Sequence, residues 1–509
     1  MRKLLLTLAV LSVMALVAAG CGSEEEAASG ASELVPAGAL VYGEATLDPE
    51  GDQKQAIDSI LAKFPGGGQA GDKLKELIEK GLRESDAPIS FKDDIEPWLG
   101  DEAGFFASSV DASGEPSAAV ALVATDDEDK SLETLEKSAE GKLTRKNYKD
   151  VEYLTDESDE AGAVLDGFLV LGTEAGVKAV IDTSKGGKKL SDDESYKNAL
   201  EGASEDRLGL FYLNSPQFLK SAQGMTALPQ SFEKFFKEPF VATVDADDDG
   251  VVFEGKVPQE TAQTFGFVGQ GSDLLDELPG DSWAAMAQTD FGKLIDFYVD
   301  AFGATAGGRD AIEQQLKAAT GLDLQKDVID WMGDFGLFVR GTSIAELDGA
   351  LIIETKDEQA SGRMIDAVAR LARQQGAGSG LSVRPSTQGG GEGYTLSAQG
   401  IPKPIHLFQK GGRVVLAYGD AAARDAVDPS EKLGDNPDFS STRDSLGGDY
   451  DVSLVVLVQP ILDLVESTGA ASDADFQDAK PYLEPLSALV AGTSGDGDDL
   501  TSAVKLIVK

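Results

Sequence analysis

The chain has 509 residues, with 44 Lys and Arg against 89 Asp and Glu, one His and one Cys, and a formal charge of −45. That length points to at least two domains, and the charge repels the phosphates of a nucleic-acid partner. One His and one Cys leave no material for a zinc site, a paired-cysteine motif or an internal disulfide.

The N-terminus reads as an export signal. Arg2 and Lys3 precede an apolar run from Leu4 to Ala19, which is short for a membrane-spanning helix and suits a secretory h-region. The run ends Leu16-Val17-Ala18-Ala19-Gly20-Cys21 and turns polar at Ser23-Glu24-Glu25-Glu26. This resembles a bacterial lipobox, in which the Cys is lipidated and becomes the mature N-terminus. The only Cys of the chain stands at that point, so Cys21 is the expected lipidation site. Several acyl chains at about 0.8 kcal/mol per buried CH₂ give stable anchoring. Residues 1–20 are then the signal peptide and residues 21–33 a flexible tether.

The remainder reads as one unit written twice. Leu34 to Tyr42 opens an alternating strand, followed by a helical pattern over Gln53 to Phe64; Leu278 to Met286 opens another, followed by Asp290 to Phe302. Phe91 to Asp101, with Trp98-Leu99-Gly100-Asp101, matches Leu324 to Asp334, with Trp331-Met332-Gly333-Asp334, and each leads into a strand through Phe106 or Phe338. Strands over Ala118–Thr125 and Gly349–Thr355 precede helices near Leu132–Glu140 and Arg363–Arg373. Hairpins follow, turning at Asp166-Gly167 and at Lys410-Gly411-Gly412. The strands Leu208–Leu213 and Val452–Val458 are each followed by Pro and a helix, at Pro216 and Pro460. Closing hairpins span Val241–Val257 and Ala488–Val508. These matches place repeat domain 1 at 34–258, a linker at 259–276 and repeat domain 2 at 277–509. Hairpins mixed with helices in one order imply an α+β class, with two tandem similar domains, each a largely antiparallel sheet packed by helices.

The Leu34-Val35-Pro36-Ala37 opening with Tyr42, and Trp98-Leu99-Gly100-Asp101 leading to Gly104, resemble a bacterial family of extracytoplasmic proteins filed as domain of unknown function 3352. The resemblance covers most of the chain after the tether. It implies the location and the architecture, and it brings no catalytic residues and no cofactor.

The sharpest metal-like motif is Asp245-Ala246-Asp247-Asp248-Asp249-Gly250, the start of a calcium loop, in which Asp245, Asp247 and Asp249 would be ligands. Its twelfth position is Lys256 where a bidentate acid belongs, and an acidic hairpin turn is the favoured reading. His406 is the sole histidine, and no G-x-S-x-G elbow accompanies it, so it reads as an ordinary strand residue. Trp98 and Trp331 recur at one place in both repeats, as a core corner would. Lys142, Arg145, Lys146 and Lys149 stand out against the acidic average and are the place to look for contact with an anionic partner.

These features lead to an expectation of a lipid-anchored protein on the extracytoplasmic face of the cell membrane. It would act by binding or scaffolding and not by catalysis, with an envelope protein or polymer as partner. The alternatives are a solute-binding lipoprotein with ligand between the domains, and a hydrolase using paired carboxylates.

Overall fold

A computed structural model describes residues 30–67, 75, 78–79, 81–83, 88–109, 118–138, 143–157, 160–201, 203–204, 206–222, 237–258, 269–303, 307–376, 380–447, 449–495 and 499–509. The chain divides into two compact units, one of residues 1–228 with 233–256 and one of residues 229–232 with 257–509.

The strands of the first unit are β1 (Val41–Thr46), β2 (Leu99–Ala107), β3 (Ala119–Thr125), β4 (Thr144–Tyr148), β5 (Val151–Thr155), β6 (Glu160–Leu165), β7 (Phe168–Thr173), β8 (Gly209–Leu213), β9 (Phe240–Asp247) and β10 (Gly250–Pro258). They lie in the order β4-β5-β6-β7-β3-β2-β1-β8-β9-β10, and every pairing is antiparallel. Helices α1 (Gly51–Ala62), α2 (Glu128–Ser138), α3 (Glu174–Ser184), α4 (Glu194–Ala199) and α5 (Ser215–Ala222) join them. The central strand β3 is apolar at every position from Val120 to Ala124 and buried throughout, as a strand covered on both faces requires. One face packs Tyr42, Phe106, Val120, Val170 and Tyr212. The other packs Trp98, Val123, Leu169 and Leu171 against Leu135 of α2.

The second unit has β11 (Ala284–Gln288), β12 (Met332–Arg340), β13 (Asp348–Thr355), β14 (Ser382–Gln388), β15 (Gly391–Ser397), β16 (Ile405–Lys410), β17 (Arg413–Tyr418), β18 (Asp451–Leu457), β19 (Leu486–Ser494) and β20 (Asp499–Val508). Their order is β14-β15-β16-β17-β13-β12-β11-β18-β19-β20, again antiparallel at every pairing. Strand for strand this is the order of the first unit. The helices are α6 (Leu274–Glu277), α7 (Phe291–Gly303), α8 (Arg309–Thr320), α9 (Glu358–Gln375), α10 (Asp420–Asp425), α11 (Pro437–Asp444), α12 (Val458–Ser467) and α13 (Ala474–Leu483). The larger core gathers Phe338, Ile352, Phe408, Val415 and Val455 on one face, and a smaller core around Trp331, Phe335 and Ile365 lies on the other.

Local chemistry explains the turns. Asp166 and Gly167 have φ of 51° and 78°, and Gly411 and Gly412 have 58° and 78°, the left-handed pairs of a tight hairpin. The Trp corners rest on one reciprocal cap. Ser90 Oγ accepts from Asp93 N at 3.1 Å while Asp94 accepts from Ser90 N at 2.7 Å. Asp323 accepts from Lys326 N at 3.0 Å while Asp327 accepts from Asp323 N at 2.9 Å. Each indole N–H then donates to the carbonyl of that capping acid, Trp98 to Asp94 and Trp331 to Asp327. Trp98 is 1% and Trp331 2% exposed, so both are core corners.

Two sequence expectations shift. The strand expected from Leu34 begins only at Val41, because Ala31–Glu33 form a 3₁₀ turn and Pro36 makes an isolated bridge to Lys189. Pro279 bridges Lys432 in the same manner, and β11 starts at Ala284. A proline without N–H cannot continue the ladder. Helix α2 starts at Glu128, ahead of the expected Leu132, because Asp127 accepts from Lys130 N at 3.1 Å and caps its first turn.

Candidate functional site

Cys21 and Lys142 lie outside the described residues. The other three basic positions belong to β4 and the turn after it, and each faces an acid of its own unit. Arg145 pairs with Glu136 and Glu152. Lys146 lies 2.8 Å from Glu174, and Lys149 lies 2.8 Å from Asp182. Hydrogen bonds from Lys146, Lys178 and Tyr153 hold the Glu174 carboxyl down to about 2.

The acidic run Asp245–Gly250 forms the turn between β9 and β10. Asp247 Oδ1 accepts from the amides of Asp249 at 3.0 Å and Gly250 at 2.9 Å, which closes the β9–β10 hairpin. Burial, with Glu254 nearby, pushes Asp245 up to about 6. Among the described residues no group of three or more Asp, Glu, His or Cys side chains is placed to hold a metal.

His406 is 1% exposed on β16. Its Nδ1 lies 3.0 Å from Thr395 Oγ1 on the neighbouring strand. Its Nε2 is 2.9 Å from Asp420 Oδ1, within ion-pair reach but off the line of a hydrogen bond. This is a strand histidine enclosed by polar neighbours.

The first unit carries an ionisable cluster on its larger core. Tyr42 Oη donates to Glu44 Oε2 at 2.5 Å, and Arg207 pairs with the other oxygen of Glu44. Glu102 on β2 accepts from Ala31 N at 2.8 Å, which ties the first described turn to the sheet. Burial, reinforced by Glu44 and Asp101, pushes Glu102 up to about 7. Tyr42, Tyr196 and Tyr212 stack edge to face beside it, with centroid separations of 6.1 and 5.0 Å. The second unit has apolar side chains in the matching register, with Ala285 opposite Phe338 and Val455 opposite Ala285.

The largest contrast between the units lies on the opposite sheet face. In the second unit Leu407, Leu416, Leu351, Leu337, Met286 and Leu454 stand directly across from one another on β16, β17, β13, β12, β11 and β18. None of the six is buried; Leu337 is 36% and Leu416 44% exposed, and the rest are half-buried. Two positions along, Ile405, Tyr418, Val339 and Val456 continue the apolar surface and are also half-buried. Helix α9 packs against β14, β15 and β16, α7 against β12 and α12 against β19, and Met286, Leu351 and Leu407 rest against the core around Trp331, Phe335 and Ile365.

The first unit fills the same places differently. Its matching row is Gly162, Leu171, Ala121, Phe105, Gly43 and Phe211. Leu171 and Ala121 are fully buried, and Leu135 of α2 sits 2.7 Å from where a Cβ on Gly162 would be. The Phe105 ring lies over Gly43, 2.2 Å from where its Cβ would stand. The positions of Ile405 and Tyr418 are taken by Glu160 and Thr173. The first unit thus keeps Leu171, Phe105 and Phe211 in this row, with Phe211 39% exposed, and has small residues at the other three positions.

Sequence reasoning missed the face. Strands such as Met332–Arg340 carry apolar residues at both parities, a pattern that reads as burial on both sides. Only the register across six strands shows that the second side is half open.

No curated protein matches the chain. Two solved crystal forms of TP0453 are similar at 10% identity. One has a TM-score of 0.26 over 47% of this chain and 84% of that one. The other has 0.24 over 46% and 80%. Both scores are too low to transfer anything. The family model for proteins of unknown function DUF3352 matches residues 3–448, a span that takes in the Pro36 bridge and both Trp corners, and the chain belongs to that family.

Proposed function

We propose that this is a lipid-anchored protein of the bacterial envelope, made of two tandem copies of one domain, which works by binding through the second copy. Cys21 is the lipidation site, residues 1–20 are the signal, and residues 21–33 are the tether. Repeat domains at 34–258 and 277–509 with a linker at 259–276 account for the strand order that the two units share. What carries the binding reading is the row from Leu407 to Leu454. Apolar surface of this extent on a regular sheet is costly to leave in water, and such patches mark interaction sites. Among the described residues no helix is long and apolar enough to cross a membrane; the attachment we propose is the lipid on Cys21.

Two measurements test this reading. Cys21→Ser should give an unlipidated protein by mass spectrometry that is released from the membrane fraction; retention on the membrane would remove the anchor. A photo-reactive residue at Leu337 in intact cells should form a defined adduct, while one at Phe211 in the first unit should not. Equal labelling at both positions would remove the binding role of the second unit.

A further inference from the structure

We infer that the loop Lys185–Lys189 of the first unit rests against the anionic headgroups of the membrane that holds Cys21; this rests on the lipid-anchor reading above. The observation that carries it is where the tether enters the fold. Ala37 N donates to Lys188 O at 3.0 Å, Leu190 N donates to Val35 O at 2.8 Å, and Pro36 bridges Lys189. Lys189 Nζ also lies 2.8 Å from Glu33. The segment that leads in from the anchor is bonded to this loop.

Covalent geometry limits how far the loop can stand from the membrane. Cys21 and Gly30, the first described residue, are so few steps apart that an extended chain spans at most about 32 Å between them. A chain of charge −45 is repelled as a whole by anionic lipid. Which side turns toward the surface is then decided by a face of opposite sign.

The loop is such a face. Lys185 and Lys188 are exposed, and among the described residues neither pairs with an acid. The acids around them have partners of their own. Asp182 has Lys149 at 2.8 Å, Asp192 has Lys197 at 3.8 Å, and Asp166 accepts from Ser184 Oγ. Each lysine brought to an anionic surface adds about fivefold to the affinity. Glu24, Glu25 and Glu26 of the tether are the other anions within reach. Exposed pairs of that kind scarcely repay the ordering of two long side chains, whereas headgroups meet the whole loop at once.

The second unit is the internal control. Pro279 bridges Lys432, Gly280 N donates to Glu431 O at 2.9 Å, and Leu433 N donates to Leu278 O at 2.8 Å. These are the same contacts, yet Asp428 and Glu431 stand where the first unit has Lys185 and Lys188. A helix C-terminus favours a cation, but α10 ends close to Asp428 all the same. The fold accepts acids at both positions, and the cations occur in the unit that the tether enters.

The test uses the full-length lipidated protein, inserted through its own anchor into vesicles of phosphatidylcholine alone or mixed equally with phosphatidylglycerol. Flotation first shows whether the protein is held on the vesicles. Lysines are then acetylated briefly with a water-soluble reagent and read by mass spectrometry. Lys185 and Lys188 should react at least about threefold more slowly on the anionic vesicles, and about 500 mM salt should remove the difference. Lys432 should react alike on both. Lys185→Gln with Lys188→Gln changes exposed side chains, should leave Tm unchanged, and should erase the slowing at Lys189. If the protein floats and Lys185 and Lys188 react alike on both vesicles, the anchor stands and the headgroup assignment falls. If both lysines are slow on either vesicle and fast after Glu24→Gln, Glu25→Gln and Glu26→Gln together, the loop holds the tether and the headgroup assignment again falls. If the protein does not float, both readings fall.

Discussion

Single residues set where this protein is strong and how it responds to pH. Trp331 is buried with its indole N–H bonded to Asp327, so Trp331→Ala removes packing and leaves a cavity. A loss of about 3–5 kcal/mol is expected from denaturant unfolding. Glu102 responds to acid. Its carboxyl is raised from 4.5 to about 7 by burial beside Glu44 and Asp101, so the folded state favours the protonated form. The stability it contributes is complete below about 4.5 and is lost as pH rises through about 7. Glu102→Gln should flatten the fall in stability across that window, read as Tm against pH. Glu174 runs the other way: its carboxyl is lowered from 4.5 to about 2. Its contribution is present above 4.5 and disappears on acidification toward 2, so Glu174→Gln should be milder at pH 3 than at pH 7.

At the scale of elements, the turns carry the register. Gly412 at φ 78° sits where a side chain is strained. Gly412→Ala should cost roughly 1 kcal/mol by denaturant midpoint. The same substitution at Gly434, where φ is not positive, meets instead the Asp276 side chain at 2.9 Å. Much of this level was legible in the sequence. The Asp166-Gly167 and Gly411-Gly412 hairpins, the paired Trp corners and the order of matching segments follow from turn chemistry and internal repetition. The β4–β5 and β14–β15 hairpins were not legible. Thr144–Tyr148 is polar at nearly every position and Ser382–Gln388 contains Pro385, so neither shows strand alternation. Strand starts were misplaced where Pro36 and Pro279 hold an extended chain outside the ladder. The candidate site was the least legible part. Each residue of the row reads as core on its own strand, and the fact that matters, five leucines and Met286 side by side with Leu337 and Leu416 exposed, exists only after the sheet is assembled.

At the scale of the whole molecule, the charge of −45 works against compaction. Raising the salt from 10 to 300 mM, which shortens the screening length from about 30 Å to below about 8 Å, should therefore raise Tm. A fall instead would mean that surface ion pairs such as Lys146–Glu174 matter more than the net repulsion.

The outer strands of the two sheets carry a consequence for a protein crowded among identical neighbours. At one end of the first sheet, β4 presents Arg145 and Lys146, and at the matching end of the second, β14 contains Pro385, which has no N–H to offer a neighbouring strand. Charge at one margin and a missing donor at the other discourage strand-to-strand polymerisation there. Densely packed copies would therefore not extend one another's sheets along those two margins.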